Sequence, residues 1–262
     1  MNRNRIKHFV CINVIYSLTF FLFSCSHNSS TQNRNLVRLT DKIDPNIVLI
    51  NIGNEDRQSI AKILLSIDSC RPILLGVDVW FPKEKNYLQD STLSYAFKSI
   101  KNDIICYKFN TQLRPVHSVP QFLSFIDGEG YTEVELVNGM ASKFFPQRRI
   151  NNEAYESLAL KIVKKWHPKF VYQFNPNEPI SIRYERTLEQ FVRLEGSRLK
   201  FDNFCDFFQG KVVLIGYFGP TPEDKYYTPI RTVISYPEDE PDTYGLVILA
   251  NQIRTILEYE AK

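Results

Sequence analysis

PILLGVDVWF, residues 72–81, decides how the chain is read. Ile73, Leu74, Leu75, Gly76 and Val77 make the short apolar run that a strand buried on both faces requires. The run stops at Asp78, and Trp80, Phe81 and Pro82 turn the chain. A carboxylate at the carboxyl end of a buried parallel strand stands where open α/β sheets bind ligands. The plainer reading has Asp78 capping a turn, with Trp80 and Phe81 closing the end of the core.

Working outward, residues 46–52 (NIVLINI) read as a first strand, and Gly53 and Asn54 turn it. Asn54 is the expected cap of a helix in which Ile60, Ile63, Leu64 and Ile67 fall at i, i+3, i+4 and i+7. That helix ends near Cys70, because Pro72 cannot continue it. Downstream, Asp90 is the expected cap of a second helix carrying Leu93, Ala96, Phe97 and Ile100, and residues 103–109 form a third strand. Strands and helices alternating at this pitch predict an α/β fold: a mainly parallel sheet with a mixed edge and helices on both faces.

The middle is less regular. Residues 111–120 read as loop, and residues 130–137 (GYTEVELV) alternate as one half-buried strand does. Asn138-Gly139 is a turn signal. A third helix aligns Tyr155, Leu158, Ala159, Ile162 and Trp166, with Asn152 as its expected cap and His167-Pro168 as its stop. Residues 180–184 predict another strand, residues 187–208 give no clear pattern, and residues 211–216 (KVVLIG) give a second core strand. A Pro-rich, acidic loop over 217–243 precedes a final amphipathic helix over 246–257. Loops longer than about 12–15 residues are usually functional or disordered. Residues 45–262 show no internal repeat or linker, so one domain is expected.

The net charge of +3 comes from the start of the chain. Arg3, Arg5 and Lys7 are the only charged residues among the first 24, and without them acids and bases are equal in number. Such a balance offers no footprint for nucleic acid. Residues 9–23 are apolar and of signal-peptide length, shorter than the ~20 residues of a membrane span. Residues 1–24 are therefore a signal peptide or membrane anchor, followed by a polar tether over 25–44. Leu22-Phe23-Ser24-Cys25 resembles the lipobox of bacterial lipoproteins, which makes Cys25 the candidate lipidation site; ordinary cleavage and an uncleaved anchor remain open. Each places the rest of the chain outside the cytoplasm, and the expected location is membrane-anchored in a bacterial cell envelope. Of the other cysteines, Cys106 reads as a buried strand residue, and the separations of Cys70, Cys106 and Cys205 do not choose a disulfide.

Three stretches taken together resemble the CHASE2 family of extracytoplasmic sensory domains. The first joins IVLINI through a helix to Gly76, Asp78 and Phe81, with Asp90, Leu93 and Ala96 after them. The second is Gly130-Tyr131 with Val134, then Arg148-Arg149 and Ser157-Leu158-Ala159. The third is residues 210–216, Asp224, Thr228-Pro229, Gly245 and Ala250-Asn251. Ile52-Gly53-Asn54 departs from the Ile-Asp-Glu usual in the family, and a Trp-Pro-Trp-x-Arg stretch is absent, with only Arg57 nearby. The resemblance implies a sensor module, and since family members precede membrane helices and a cytoplasmic output, one whose output lies in a partner protein.

The candidate ligand contacts are Asp78, Phe81, Asp90, Arg148, Arg149, Asp224, Thr228 and Asn251. On the structural alternative the aspartates cap turns and helices while the arginines pair with them. His117 and His167 are isolated and lack metal-ligand spacing. The expectation is a membrane-tethered module that binds a small molecule or protein, without cofactor, metal or catalysis. A metal-assisted envelope hydrolase, which would need a divalent cation, and a structural lipoprotein, which no ligand would stabilise, are the alternatives.

Overall fold

Five consecutive buried residues, Ile47–Asn51, form β1 of the computed structural model, which describes residues 42–169, 171, 173–200, 204–219, 224–230 and 240–259. The chain continues through α1 (Arg57–Ser69), β2 (Leu74–Val77), α2 (Tyr87–Ser99), β3 (Asp103–Phe109), β4 (Pro115–Val116), α3 (Pro120–Leu123) and β5 (Glu129–Tyr131). Small strands follow: β6 (Glu135–Val137), β7 (Met140–Phe144), β8 (Gln147–Ile150) and β9 (Glu153–Glu156), then α4 (Leu158–Trp166) and β10 (Ile180–Ser181). The last part holds β11 (Val192–Glu195), α5 (Cys205–Phe208), β12 (Val212–Gly216), β13 (Lys225–Tyr226), β14 (Thr243–Tyr244) and α6 (Gly245–Tyr259). The expected signal, Cys25, most of the tether, and residues 220–223 and 231–239 of the long loop lie outside the described residues.

The main sheet runs β11-β1-β12-β2-β3 with every pair parallel, and β5 extends it on β3. β4 pairs antiparallel with β3 and supplies the mixed edge. Because strand side chains alternate, each strand feeds two cores. Val48, Ile50, Leu75, Val77, Ile105, Val213 and Ile215 face α1 and α2. Ile47, Leu49, Leu74, Ile104, Cys106, Val212 and Leu214 face α4 and α6. The α1 stripe of Ile60, Ile63, Leu64 and Ile67 is buried, and each such side chain contributes about 1.5–3 kcal/mol. Gly76 lets α4 lie close on the sheet: a Cβ there would stand 2.6 Å from Ile162 Cδ1 and 2.8 Å from Leu214 Cδ2.

Local contacts move several expected boundaries. The cap of α1 is Asp56, whose carboxylate accepts the Ser59 N–H at 2.8 Å, because Asn54 is taken up in the turn after Gly53. Asn86, not Asp90, caps α2, accepting the Gln89 N–H at 3.0 Å; Asp90 lies in the first turn. Ser157 replaces Asn152 as the cap of α4. Asn151 and Asn152, at φ 51° and 68°, instead make the left-handed turn between the paired strands β8 and β9. The stretch 130–137 is two strands rather than one. The Glu133 carboxylate accepts the Phe109 N–H at 2.5 Å between them, and β6 leaves for a small sheet with β7 and β10. Of the strand expected over 180–184, only Ile180–Ser181 pairs.

Asp44, assigned to the tether, is buried. It accepts the Asn46 and Ile47 N–H groups at 2.9 Å and faces Arg186 and Arg254, so the packed domain takes in residue 44. A disulfide joins Cys70 at the end of α1 to Cys205 at the start of α5, closing a span of 135 residues, while Cys106 is free and buried. Such a cross-link typically stabilises by about 2–4 kcal/mol.

Candidate functional site

The ladder between β2 and β12 ends with the Asp78 N–H donating to the Ile215 carbonyl at 2.8 Å. From that point the two strands part. β2 leads to α2 on one face of the sheet, and β12 leads to α6 on the other. Adjacent strands whose onward connections diverge define a topological switch point, the crevice where open α/β sheets hold ligands. Asp78 alternates with Gly76 and so projects on the α4–α6 side. Cys106 and Lys108, at i+2 and i+4 from Ile104 on the neighbouring β3, share that side. Trp80 fixes the strand end by donating from Nε1 to the Val116 carbonyl at 2.9 Å.

A cavity of about 40 Å³ opens here, lined by Asp78 and Lys108 from the strand ends, Thr132 and Val134 after β5, Asp224 and Tyr226, and Gly245, Ile248, Leu249 and Gln252 of α6. The Cys106 thiol donates to the Asp78 carboxylate. Asp224 accepts the Gly245 N–H at the start of α6, where the helix dipole favours an anion. Gly245 leaves room for that carboxylate, since a Cβ there would stand 2.7 Å from Asp224 Oδ1 and push it aside. Burial raises the Asp78 carboxyl above the usual carboxylate range, against the pull of Lys108 and the Cys106 thiol. Burial, then the charge of Asp78, push Asp224 up to about 7, opposed by Lys108 and the Gly245 N–H. Burial and the carboxylates of Asp224, Asp78 and Glu133 also raise the Tyr226 phenol.

The polar groups around the cavity are incompletely satisfied. Gln252 is only 3% exposed, yet its amide makes no hydrogen bond with a described residue. The Tyr226 and Thr132 hydroxyls likewise have no partner among the described residues, and Lys108 closes no ion pair there. The Lys108 ammonium instead lies 5.9 Å from the centroid of the Trp80 ring. The Gln252 amide therefore meets the open volume of the cavity rather than another side chain of the described residues. Among the described residues no group of three or more His, Cys, Asp or Glu side chains could hold a metal ion.

Of the eight sequence candidates, the fold brings Asp78 and Asp224 together. Asp90 is on the far face, paired with Arg57. Phe81 is packed there too, its ring 5.6 Å from Phe122 and 6.3 Å from Phe97. Arg148 pairs with Glu135 at 3.5 Å and lies over the Phe145 ring, and Arg149 is exposed on β8. The Thr228 hydroxyl donates to the Ile230 carbonyl and meets that of Thr243 at 2.9 Å, closing the base of the long loop. Asn251 is buried and holds residues 185–186 to α6 through the Glu185 and Arg186 N–H groups and the Arg186 carbonyl. Lys108, Thr132, Tyr226 and Gln252 escaped the sequence reading. Period-two spacing from Ile104 could have found Lys108, and Gln252 is a polar interruption of the apolar α6 stripe.

These features define a class: a doubly wound α/β domain with a small, enclosed polar cavity at its switch point. The chain matches the CHASE2 domain over residues 31–262 and belongs to that family. CHASE2 domains are extracellular sensory domains rather than enzymes. No curated protein and no solved structure matches the chain. No helix among the described residues is long and apolar enough to cross a membrane.

Proposed function

We propose that this domain is a membrane-tethered extracytoplasmic sensor that binds a small polar ligand in the Asp78–Asp224 cavity and passes its bound state to a protein partner. The observation that carries the reading is the cavity at the switch point, whose lining brings together Asp78, Asp224 and Gln252, a residue 3% exposed and without a hydrogen-bond partner among the described residues. The family's sensory role supports it. Thermal unfolding of the full chain in detergent, against a metabolite and metal library, tests it. A ligand at a hundredfold excess over its dissociation constant adds about 2.7 kcal/mol of stability. The expected result is a stabilising compound whose effect disappears in Asp78→Asn and Asp224→Asn, both of which keep the ligand-free fold. A chain that no compound stabilises, or a shift that survives both substitutions, overturns the site.

The tether belongs to the same proposal. Cys25 carries a lipid that holds the domain at the membrane, supported by the lipobox-like Leu22-Phe23-Ser24-Cys25. Labelled fatty acid should enter the wild-type chain and not Cys25→Ser; equal labelling of the two would remove Cys25 from that role.

A further inference from the structure

Resting on the reading of this cavity as the sensor site, we infer that the ligand presents a small aliphatic ammonium group, with its nitrogen between Asp78 and Asp224. The acceptors outnumber the committed donors. Two carboxylates line the volume beside the Gln252 amide and the Tyr226 and Thr132 hydroxyls, which can each accept as well as donate, and among the described residues the only hydrogen bonds given to the carboxylates there come from the Cys106 thiol and the Gly245 N–H. Lys108 stays outside ion-pair distance of both carboxylates, so with both ionised the site carries one uncompensated negative charge. Asp224 already occupies the positive end of α6. An anion would meet Lys108 on one side only, with two carboxylates facing it.

An ammonium has one positive charge and three donors, and it neutralises the site while relieving the repulsion between Asp78 and Asp224. A neutral polyol supplies donors without the charge. Ca²⁺ takes about six to eight oxygen ligands, more than two carboxylates supply, and Mg²⁺, which keeps several of its waters, needs more room than this cavity offers and meets the Lys108 charge. Size agrees as well. One water needs about 10–15 Å³ by this measure. The ~40 Å³ here therefore admits a nitrogen with one or two carbons. Val134, Ile248 and Leu249 offer the apolar wall that those methylenes would meet.

Calorimetric titration of the full chain with methylammonium and ethanolamine, beside ethylene glycol, Mg²⁺, Ca²⁺ and inorganic phosphate, tests the inference. Ethanolamine should bind at least tenfold more tightly than ethylene glycol. Asp78→Asn and Asp224→Asn should each weaken it more than tenfold, and Gln252→Leu should weaken it less. Both amines remain protonated from pH 6 to 8, so they compete with the proton on Asp224. With that carboxyl at about 7, affinity should rise roughly tenfold from pH 6 to pH 8. Asp78, Lys108, Cys106, Tyr226 and, farther off, Glu133 are the other charged or titratable groups facing this centre. Stronger binding of glycol, metal or phosphate, lost in Asp78→Asn, overturns the amine and leaves the sensor cavity standing. Amine binding that both Asn variants retain, or no binding of either amine, also overturns it.

Discussion

Replacing Asp90 with alanine is expected to lower the unfolding free energy by about 3–5 kcal/mol, because it strands a buried guanidinium. The side chains of Arg57 and Asp90 are 5% and 7% exposed. Arg57 donates to Asp90 and to the Lys83 carbonyl, and its guanidinium carbon lies 5.4 Å from the ring centroids of both Phe81 and Phe122. Asp90 also accepts the Lys85 N–H at 2.8 Å, so one carboxylate ties α1, α2 and the chain after β2 together. Without it the Arg57 charge has only a carbonyl and two aromatic faces for company. Replacing both residues with leucine removes the stranded charge along with its partner and should recover most of the loss, as apolar exchanges of buried pairs generally do. Urea unfolding of Asp90→Ala and of the double leucine variant measures this. An Asp90→Ala chain within 1 kcal/mol of wild type would show that the pair contributes little. Ligand-dependent stabilisation should persist in Asp90→Ala at temperatures where it stays folded, because Asp90 is on the far face from the cavity.

The frame was legible because it is written in local pattern. Apolar runs at 47–51, 74–77 and 212–216 and helical stripes between them fix a parallel sheet with two covered faces. Asp78 could be picked out because its strand ends there. What the sequence leaves open is pairing over distance. Asp224 reaches Asp78 only because β12 inserts between β1 and β2, and no local signal says which gap a late strand fills. The same holds for Cys70 and Cys205, and for Arg57 reaching Asp90 from another helix. Caps were misplaced for a different reason. Asn54 and Asp56 are both good cap formers, as are Asn152 and Ser157, and the choice falls to the turn that consumes the first of each pair. Phe81 has the wrong parity for the cavity: one residue beyond Trp80, it drops into the core on the α1–α2 side.

Stability should fall by about 3 kcal/mol between pH 5 and pH 8 through Asp103 alone, and Asp103→Asn should remove that share. Asp103 begins β3 and is 1% exposed. One carboxyl oxygen accepts the Asp127 N–H at 3.2 Å; the other is buried without a partner among the described residues. Burial raises its pKa to about 7, against the pull of the Asp127 N–H and Lys165 and with the push of the Asp127 carboxylate. The unfolded chain releases this proton near pH 3.9. Between those values the folded state binds the extra proton, so raising the pH favours unfolding by about 1.4 kcal/mol per unit until the folded group also ionises. Asp224 is shifted in the same direction, so Asp103→Asn should flatten the profile without levelling it. Glu156, lowered by Lys164 and Lys161 despite its burial, acts in the opposite sense, but only below the usual carboxylate range, outside this window. An asparagine carries no charge to bury and can still accept the Asp127 N–H. The variant should therefore match wild type near pH 5 and exceed it by a few kcal/mol at pH 8. Urea unfolding of both chains at the two pH values decides the matter: an undiminished difference in Asp103→Asn would move the pH dependence to the other carboxyls that burial raises, Glu129 and Glu133 or Asp78 and Asp224, and only in the cavity pair should saturating ethanolamine alter it.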